Sequence, residues 1–112
     1  MPKGTPELLK GTLDLLILKT LESGPLHGYG IARSIETKTE QTLQIEEGSL
    51  YPSLYRMTDR GWVEFAWRLS DSNRKIKSYR LTAKGRRRLK TEQANWGRFA
   101  YAVAQVLGEQ TA

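Results

Sequence analysis

Nine lysines and arginines stand between Ser72 and Thr91, namely Arg74, Lys75, Lys77, Arg80, Lys84, Arg86, Arg87, Arg88 and Lys90, with no acid among them. Gathered on one surface, such a block attracts a polyanion, most often nucleic acid; dispersed, it is a solvated face. The imbalance runs through the chain. Residues 1–55 hold five Lys/Arg against seven Asp/Glu and residues 56–112 thirteen against five, so charges of −2 and +8 make up the net +6. A second set lies in "GSLYPSLYRM", residues 48–57, where serines, tyrosines and an arginine surround a proline. These side chains hydrogen-bond base edges and phosphates. Covalent chemistry is not indicated. His27 is the single histidine and sits in a turn without an acid pair or nucleophile beside it. There is no P-loop, dinucleotide fingerprint or metal-ligand spacing, so neither catalysis nor a cofactor or metal is expected. His27 is expected to cap or pack at a helix start.

The elements that hold these residues follow from periodicity. At 112 residues, 38% hydrophobic and 27% charged, the chain suits one small domain. No apolar run approaches the roughly 18 residues of a membrane span. No export signal is seen and cysteine is absent, which fits a cytoplasmic protein. A first helix is expected from Thr5 and Pro6, with Leu9, Leu13, Leu16, Ile17 and Leu21 on one face, Gly11 a weak point in its first turn and Gly24-Pro25 its stop. A short second helix carries Ile31 and Ile35 and ends near Lys38; Leu43 and Ile45 then lead in extended form to a third helix. In that third helix Leu50, Leu54 and Met57 form an apolar stripe that runs to about Arg60. Val63, Phe65 and Trp67 alternate with Trp62, Glu64 and Arg68 as a half-buried strand, "LSDSNRK" makes a polar tip, and Lys77, Tyr79 and Leu81 share one side of a returning strand. From Thr82, an N-cap, helical spacing returns to about Gly108 through Leu89, Trp96, Phe99, Ala100, Val103 and Leu107. That helix, roughly 39 Å long at 1.5 Å per residue, exceeds what so small a body can bury, so its distal half is expected to pack on another subunit.

The fold class is therefore mainly α with a small β-hairpin: a winged helix-turn-helix domain over residues 1–81 and a long C-terminal dimerisation helix over 82–112, in one compact unit. Such folds lay the third helix in the major groove. With Ser49 as N-cap, Leu50, Tyr51 and Pro52 are the first three helical positions, and the proline marks a helix start. Ser49, Pro52, Tyr55 and Arg56 then face outward. Tyr51 lies on the border, either bracing the helix or turning its hydroxyl to a phosphate. Ser49 and Tyr55 are expected to read bases and Arg56, Arg74 and Lys77 to hold phosphates, although Arg56 and Arg60 also read as ordinary surface charges. Asn73, Arg74, Lys75 and Lys77 form a cationic wing tip for minor groove or backbone. Arg86 to Arg88 fall on the first turns of the last helix, where phosphate contact and solvated face are equal readings. A homodimer would engage two half-sites about one helical turn apart.

"GTLDLLILKTL", "HGYGIARSI", "EEGSLYPSLYRMTDRGWVE", "KSYRLTAKGRRRL" and "NWGRF" occur in the order in which the PadR family of bacterial transcriptional regulators carries similar text, and they span nearly the whole chain. HGYG, G-S-L-Y-P and Y-R-L-T-x-x-G together are specific; each alone is weak. The resemblance implies a homodimer on double-stranded DNA, bound at an inverted-repeat operator and repressing transcription. By position, Tyr29, Ser49, Tyr51 and Pro52 are similar to residues the family directs at DNA. The short C-terminal part resembles the compact subgroup, in which the first and last helices pair two subunits; Leu13, Leu89, Trp96, Phe99, Ala100, Val103 and Leu107 are assigned to that interface. Trp96 also matches the tryptophan that, in multidrug-responsive members, stacks on a planar aromatic effector between subunits, and it reads alternatively as dimer core. The tip "LSDSNRK" departs from the glycine-rich wing of many members. Two other readings compete. A basic RNA-binding module would display Trp62, Phe65, Trp67 and Tyr79 on its sheet, a small platform at two strands. In a protein-interaction module the basic tract would be incidental.

Overall fold

A computed structural model describes residues 11–109. Helix α1 (Leu13–Leu21) buries Leu13, Ile17, Leu18 and Leu21, together with Thr20, whose hydroxyl donates back to the Leu16 carbonyl at 2.6 Å. The helix is described only from beyond Gly11 and Thr12; the start expected at Thr5 and Pro6, and Leu9 with it, lies outside the described residues. Gly24, at φ 143, turns the chain ahead of Pro25. A strand that the sequence did not announce follows: β1 (Leu26–His27) pairs antiparallel with a later strand, Leu26 opposite Tyr79 and His27 opposite Ser78. Two residues are too few to display a period. The sheet is consequently three-stranded rather than a bare hairpin.

Helix α2 (Gly28–Lys38) buries Ile31, Ala32 and Ile35. The turn after it is tight because Glu40 and Gln41 both take left-handed backbone conformations, at φ 50 and 66. Gln41 N–H then reaches the Glu36 carbonyl at 2.8 Å, and the Glu36 carboxylate accepts the Ile45 N–H at 2.9 Å. These bonds offset the cost of two non-glycine residues in that region.

Helix α3 (Glu47–Asp59) buries Leu50, Ser53, Leu54 and Met57. Each of the three apolar side chains contributes about 1.5–3 kcal/mol by leaving water. The expected start is corrected here. Glu46 is the N-cap and its carbonyl already accepts Leu50 N–H at 2.9 Å, so Ser49 lies within the first turn and Pro52 in the helix interior. Pro52 has no N–H for the Gly48 carbonyl. Both residues are exposed, so solvent can satisfy that carbonyl.

Gly61, at φ 77, ends the third helix, and β2 (Val63–Leu69) and β3 (Lys75–Leu81) form the wing, in the sheet order β1-β3-β2. Val63 faces Leu81, Phe65 faces Tyr79 and Trp67 faces Lys77. The alternation is as expected but the burial is not: only Val63 of β2 is buried, and Phe65, Trp67 and Leu69 are 38, 60 and 66% exposed. The strands outrun the body beneath them. Trp62, by contrast, is not displayed; it is buried, with the Arg60 and Arg88 guanidinium carbons 5.2 and 4.8 Å from its ring.

Helix α4 (Ala83–Leu107) starts at the expected cap. Thr82 Oγ1 accepts Gly85 N–H at 2.9 Å and donates to the Gly61 carbonyl at 2.6 Å, while Thr82 N–H donates to the Trp62 carbonyl at 3.1 Å. A Cβ on Gly85 would land on that same Trp62 carbonyl, which explains why L-T-x-x-G closes the wing onto the helix. Within α4 only Gly85, Leu89 and Ala104 are buried. It ends at Gly108, left-handed at φ 76.

Candidate nucleic-acid interface

Gly48, Pro52 and Tyr55 make up the outer face of α3, with Tyr55 78% exposed and Ser49 half-buried beside them. Tyr51 does brace the helix: its ring and hydroxyl stand where a Cβ on Gly28 would be, 2.8 Å away, yet 44% of the residue is exposed. The bracing half of the border reading holds, and the exposed part of the ring borders the grooves between α3 and the wing. Gly28 leaves room for Tyr51, and Gly30 leaves room for the His27 ring, 3.2 Å from a Cβ there, which accounts for both glycines of HGYG. His27 occupies the N-cap position of α2 without a side-chain cap bond, so it packs rather than caps, 6.1 Å from the Tyr29 ring. Tyr29 is 61% exposed; its hydroxyl accepts from Arg33 Nη1 at 3.4 Å, and that guanidinium also lies 5.8 Å from its ring. Sequence reasoning missed Arg33, although its i,i+4 spacing from Tyr29 was visible.

Two adjoining grooves separate α3 from the wing. Tyr51, Tyr55, Thr58, Asp59, Phe65, Lys77 and Tyr79 line one. His27, Gly28, Tyr29, Tyr51, Trp67, Lys75, Ile76, Lys77 and Tyr79 line the other. Tyr29, Tyr51, Tyr55, Lys75 and Lys77 are thus brought together from three distant stretches of sequence. Phe65 and Trp67 join them unexpectedly, because their alternation signals a shared face and not its burial. The two rings meet edge to face at 6.0 Å, and the Lys77 ammonium lies 4.4 Å from the Phe65 ring and 5.5 Å from that of Trp67. Burial pushes the Tyr79 phenol above its ordinary value, with Tyr51 adding to the shift.

At the wing tip Ser70 N–H donates to the Arg74 carbonyl at 2.8 Å, and Ser70 Oγ accepts Arg74 N–H at 3.1 Å. Asn73 takes the left-handed conformation, φ 64, and so does the work of the missing tip glycine. Arg74 and Lys75 are exposed there. Other cations are engaged elsewhere. Arg80 Nε donates to Glu64 at 2.6 Å, and Arg88 pairs with Glu92, while Arg86 and Arg87 are exposed. Arg56 departs from the expectation of an outward phosphate ligand. Its Nη2 donates to both carboxylate oxygens of Asp14 on α1, at 2.8 and 3.0 Å, because its position on α3 lies toward that helix and away from the grooves.

The expected subunit contact divides in the same way. Leu13 and Leu89, 3 and 2% exposed, are sealed in the protomer's own core and offer a partner no surface. Trp96, Phe99, Val103 and Leu107 remain 44, 61, 39 and 64% exposed along α4, and Ala100 is half-buried. Val106 is exposed at the edge of that stripe, whereas Tyr101, also exposed, points away from it. Trp96 and Phe99 contact each other at 5.9 Å.

Among the described residues no helix is long and apolar enough to cross a membrane. The profile of the transcriptional regulator PadR-like family matches residues 17–91. A PadR-like transcriptional regulator from Bacillus cereus is 28% identical with a TM-score of 0.78, over 94% of this chain and 100% of that one. A PadR family transcriptional regulator from Eggerthella lenta is 32% identical at a TM-score of 0.77, over 90% and 86%. The negative transcriptional regulator PadR of Bacillus subtilis is 30% identical over 69% of this chain, which spans 42% of that protein's length. Its structure in complex with operator DNA superimposes with a TM-score of 0.65 at 29% identity, over 71% of this chain and 45% of that one. Motifs, winged-helix topology and these likenesses agree: the chain belongs to the PadR-like family of transcriptional regulators.

Proposed function

We infer that this protein is a sequence-specific DNA-binding regulator that grips an inverted-repeat operator as a homodimer and represses transcription. One observation carries the reading: the tyrosines of α3 and of the HGYG turn share their grooves with Lys75 and Lys77 of the wing, so hydrogen-bonding and cationic groups face one elongated anion. Ser49, Pro52 and Tyr55 face the bases, and Arg74, Lys75 and Lys77 the phosphates. The winged-helix part and α4 act as one unit through the Thr82–Gly85 joint, and the outer stripe of α4 meets a second copy. The Bacillus subtilis relative, a negative transcriptional regulator whose structure is known in complex with operator DNA, supports the same assignment. A planar aromatic effector that releases the operator would find its place at Trp96, between subunits. The test is protection of the gene's own upstream region, with and without a panel of planar aromatic compounds and against single-stranded RNA of equal length. Arg74→Ala is expected to weaken every duplex alike and to reduce the salt slope by about one. A change in preferred sequence would instead make Arg74 a base reader, and preference for the RNA would overturn the assignment.

A further inference from the structure

Trp67 and Leu69 are left uncovered by the protein's own core, and Phe65, set against the buried Tyr79 ring at 5.9 Å yet still 38% exposed, continues their row on one face of β2. Scattered exposed apolar residues are ordinary; a contiguous row marks a docking surface. Its surroundings define the partner. Across the hairpin Trp67 is in register with Lys77 and Leu69 with Lys75, so apolar groups on one strand are matched by cations on the next. The two lysines are separated by about 6.8 Å of strand rise, close to the spacing of neighbouring phosphates. Trp67 and Lys77 also border the grooves that hold Tyr51 and Tyr55, so this face continues the surface of α3. An alternation of apolar faces and cations complements one polymer in particular, a sugar–phosphate strand, whose deoxyribose rings alternate with phosphates. A protein partner would not call for a lysine opposite both of the most exposed apolar positions, Trp67 and Leu69.

We propose that the cleft between α3 and the wing takes one sugar–phosphate strand of the operator, with deoxyribose rings on Phe65 and Trp67 and phosphates on Lys75 and Lys77. This rests on the DNA-binding reading above. Trp67 is a suitable probe because its exposure separates binding from folding. Anisotropy titrations of a duplex from the upstream region, across a salt series, compare the full-length protein with Trp67→Ala and Lys77→Ala. Trp67→Ala is expected to bind about tenfold more weakly with an unchanged salt slope, while a cooperative melt well above the titration temperature shows that the variant is folded. Lys77→Ala is expected to lose affinity and also about one unit of slope. If Trp67→Ala binds as the unaltered protein does, the proposal is overturned and the face belongs to another partner. If it loses slope as Lys77→Ala does, Trp67 only seats the lysine and the sugar contact is wrong. If the unaltered protein binds no duplex, the DNA-binding reading fails and this proposal falls with it.

Discussion

Two surfaces of the protein expose aromatic rings, and they differ in what borders them. On the wing, Trp67 and Leu69 stand across from Lys77 and Lys75, with Arg74 at the tip. On α4 the run from Gln93 to Gly108 contains a single charged residue, Arg98, and that guanidinium donates to Asn95. Apolar area alone does not select a partner; the charges at its edge do. A cation-bordered face suits a polyanion, whereas an uncharged face is best covered by another uncharged face, and a second copy of α4 supplies one. The two surfaces also differ in support. The wing is anchored at its root by Val63, Tyr79 and Leu81, while α4 beyond Leu89 has only Ala104 buried.

The comparison is broken most directly by placing a charge on the uncharged surface. Phe99→Glu puts a carboxylate in the middle of the exposed stripe, where burial against a partner would leave it unpaired. An unpaired buried charge costs about 3 kcal/mol or more, so self-association should weaken by at least roughly a hundredfold. Sedimentation should show a dimer become a monomer at micromolar concentration, with operator affinity lost alongside. Trp67→Ala, on the other surface, should leave sedimentation unchanged. A dimer that survives Phe99→Glu would mean that α4 is not the contact and that the contrast between the two faces is accidental.

A smaller effect tests which cations belong to the DNA-facing surface. Arg56 was legible as an outward arginine on the third helix, but it is held by Asp14, their side chains 44 and 28% exposed. A surface pair of this kind contributes about 0.2–1 kcal/mol. If Arg56 positions α3 against α1, Arg56→Ala and Asp14→Asn should each lower operator affinity by about two- to threefold and leave the salt slope alone. The sign for Asp14→Asn decides the matter. Removing an acid beside a phosphate-binding arginine would raise affinity, and such a gain would return Arg56 to the phosphate-binding set.

These cases also explain what was readable in the sequence. Leu50, Leu54 and Met57 were found because a core face repeats at helical spacing. The Thr82 cap was found because one hydroxyl's local bond defines it. Wherever a residue's fate depends on a partner far along the chain, periodicity was silent: β1 exists only through β3, and Arg56 turns to a residue 42 positions away. Phe65 and Trp67 show a subtler limit, since alternation gives the face of a strand but not whether anything covers it. The G-S-L-Y-P proline misled for a local reason. Proline favours a first turn, but an exposed Gly48 carbonyl makes it tolerable deeper in the helix.

The finest distinction between the two surfaces is a titration. Tyr79 closes the root of the wing, and burial holds its phenol above the ordinary value of 10.0. The unfolded chain ionises this tyrosine near pH 10 while the folded protein does not, so the unfolded state is favoured as pH rises. The contribution is intact below about pH 10 and is lost as pH climbs from there toward the folded value. Other groups titrate in the same range, so the comparison must be made against a variant. In melts from about pH 9 upward, Tyr79→Phe should lose less stability per pH unit than the unaltered protein, whatever its stability at neutral pH. Parallel slopes would show that the phenol is not held neutral by its surroundings. Because Tyr79 lines both grooves, the same alkaline range should also loosen the DNA-facing surface, and operator affinity should fall less steeply there for Tyr79→Phe than for the unaltered protein.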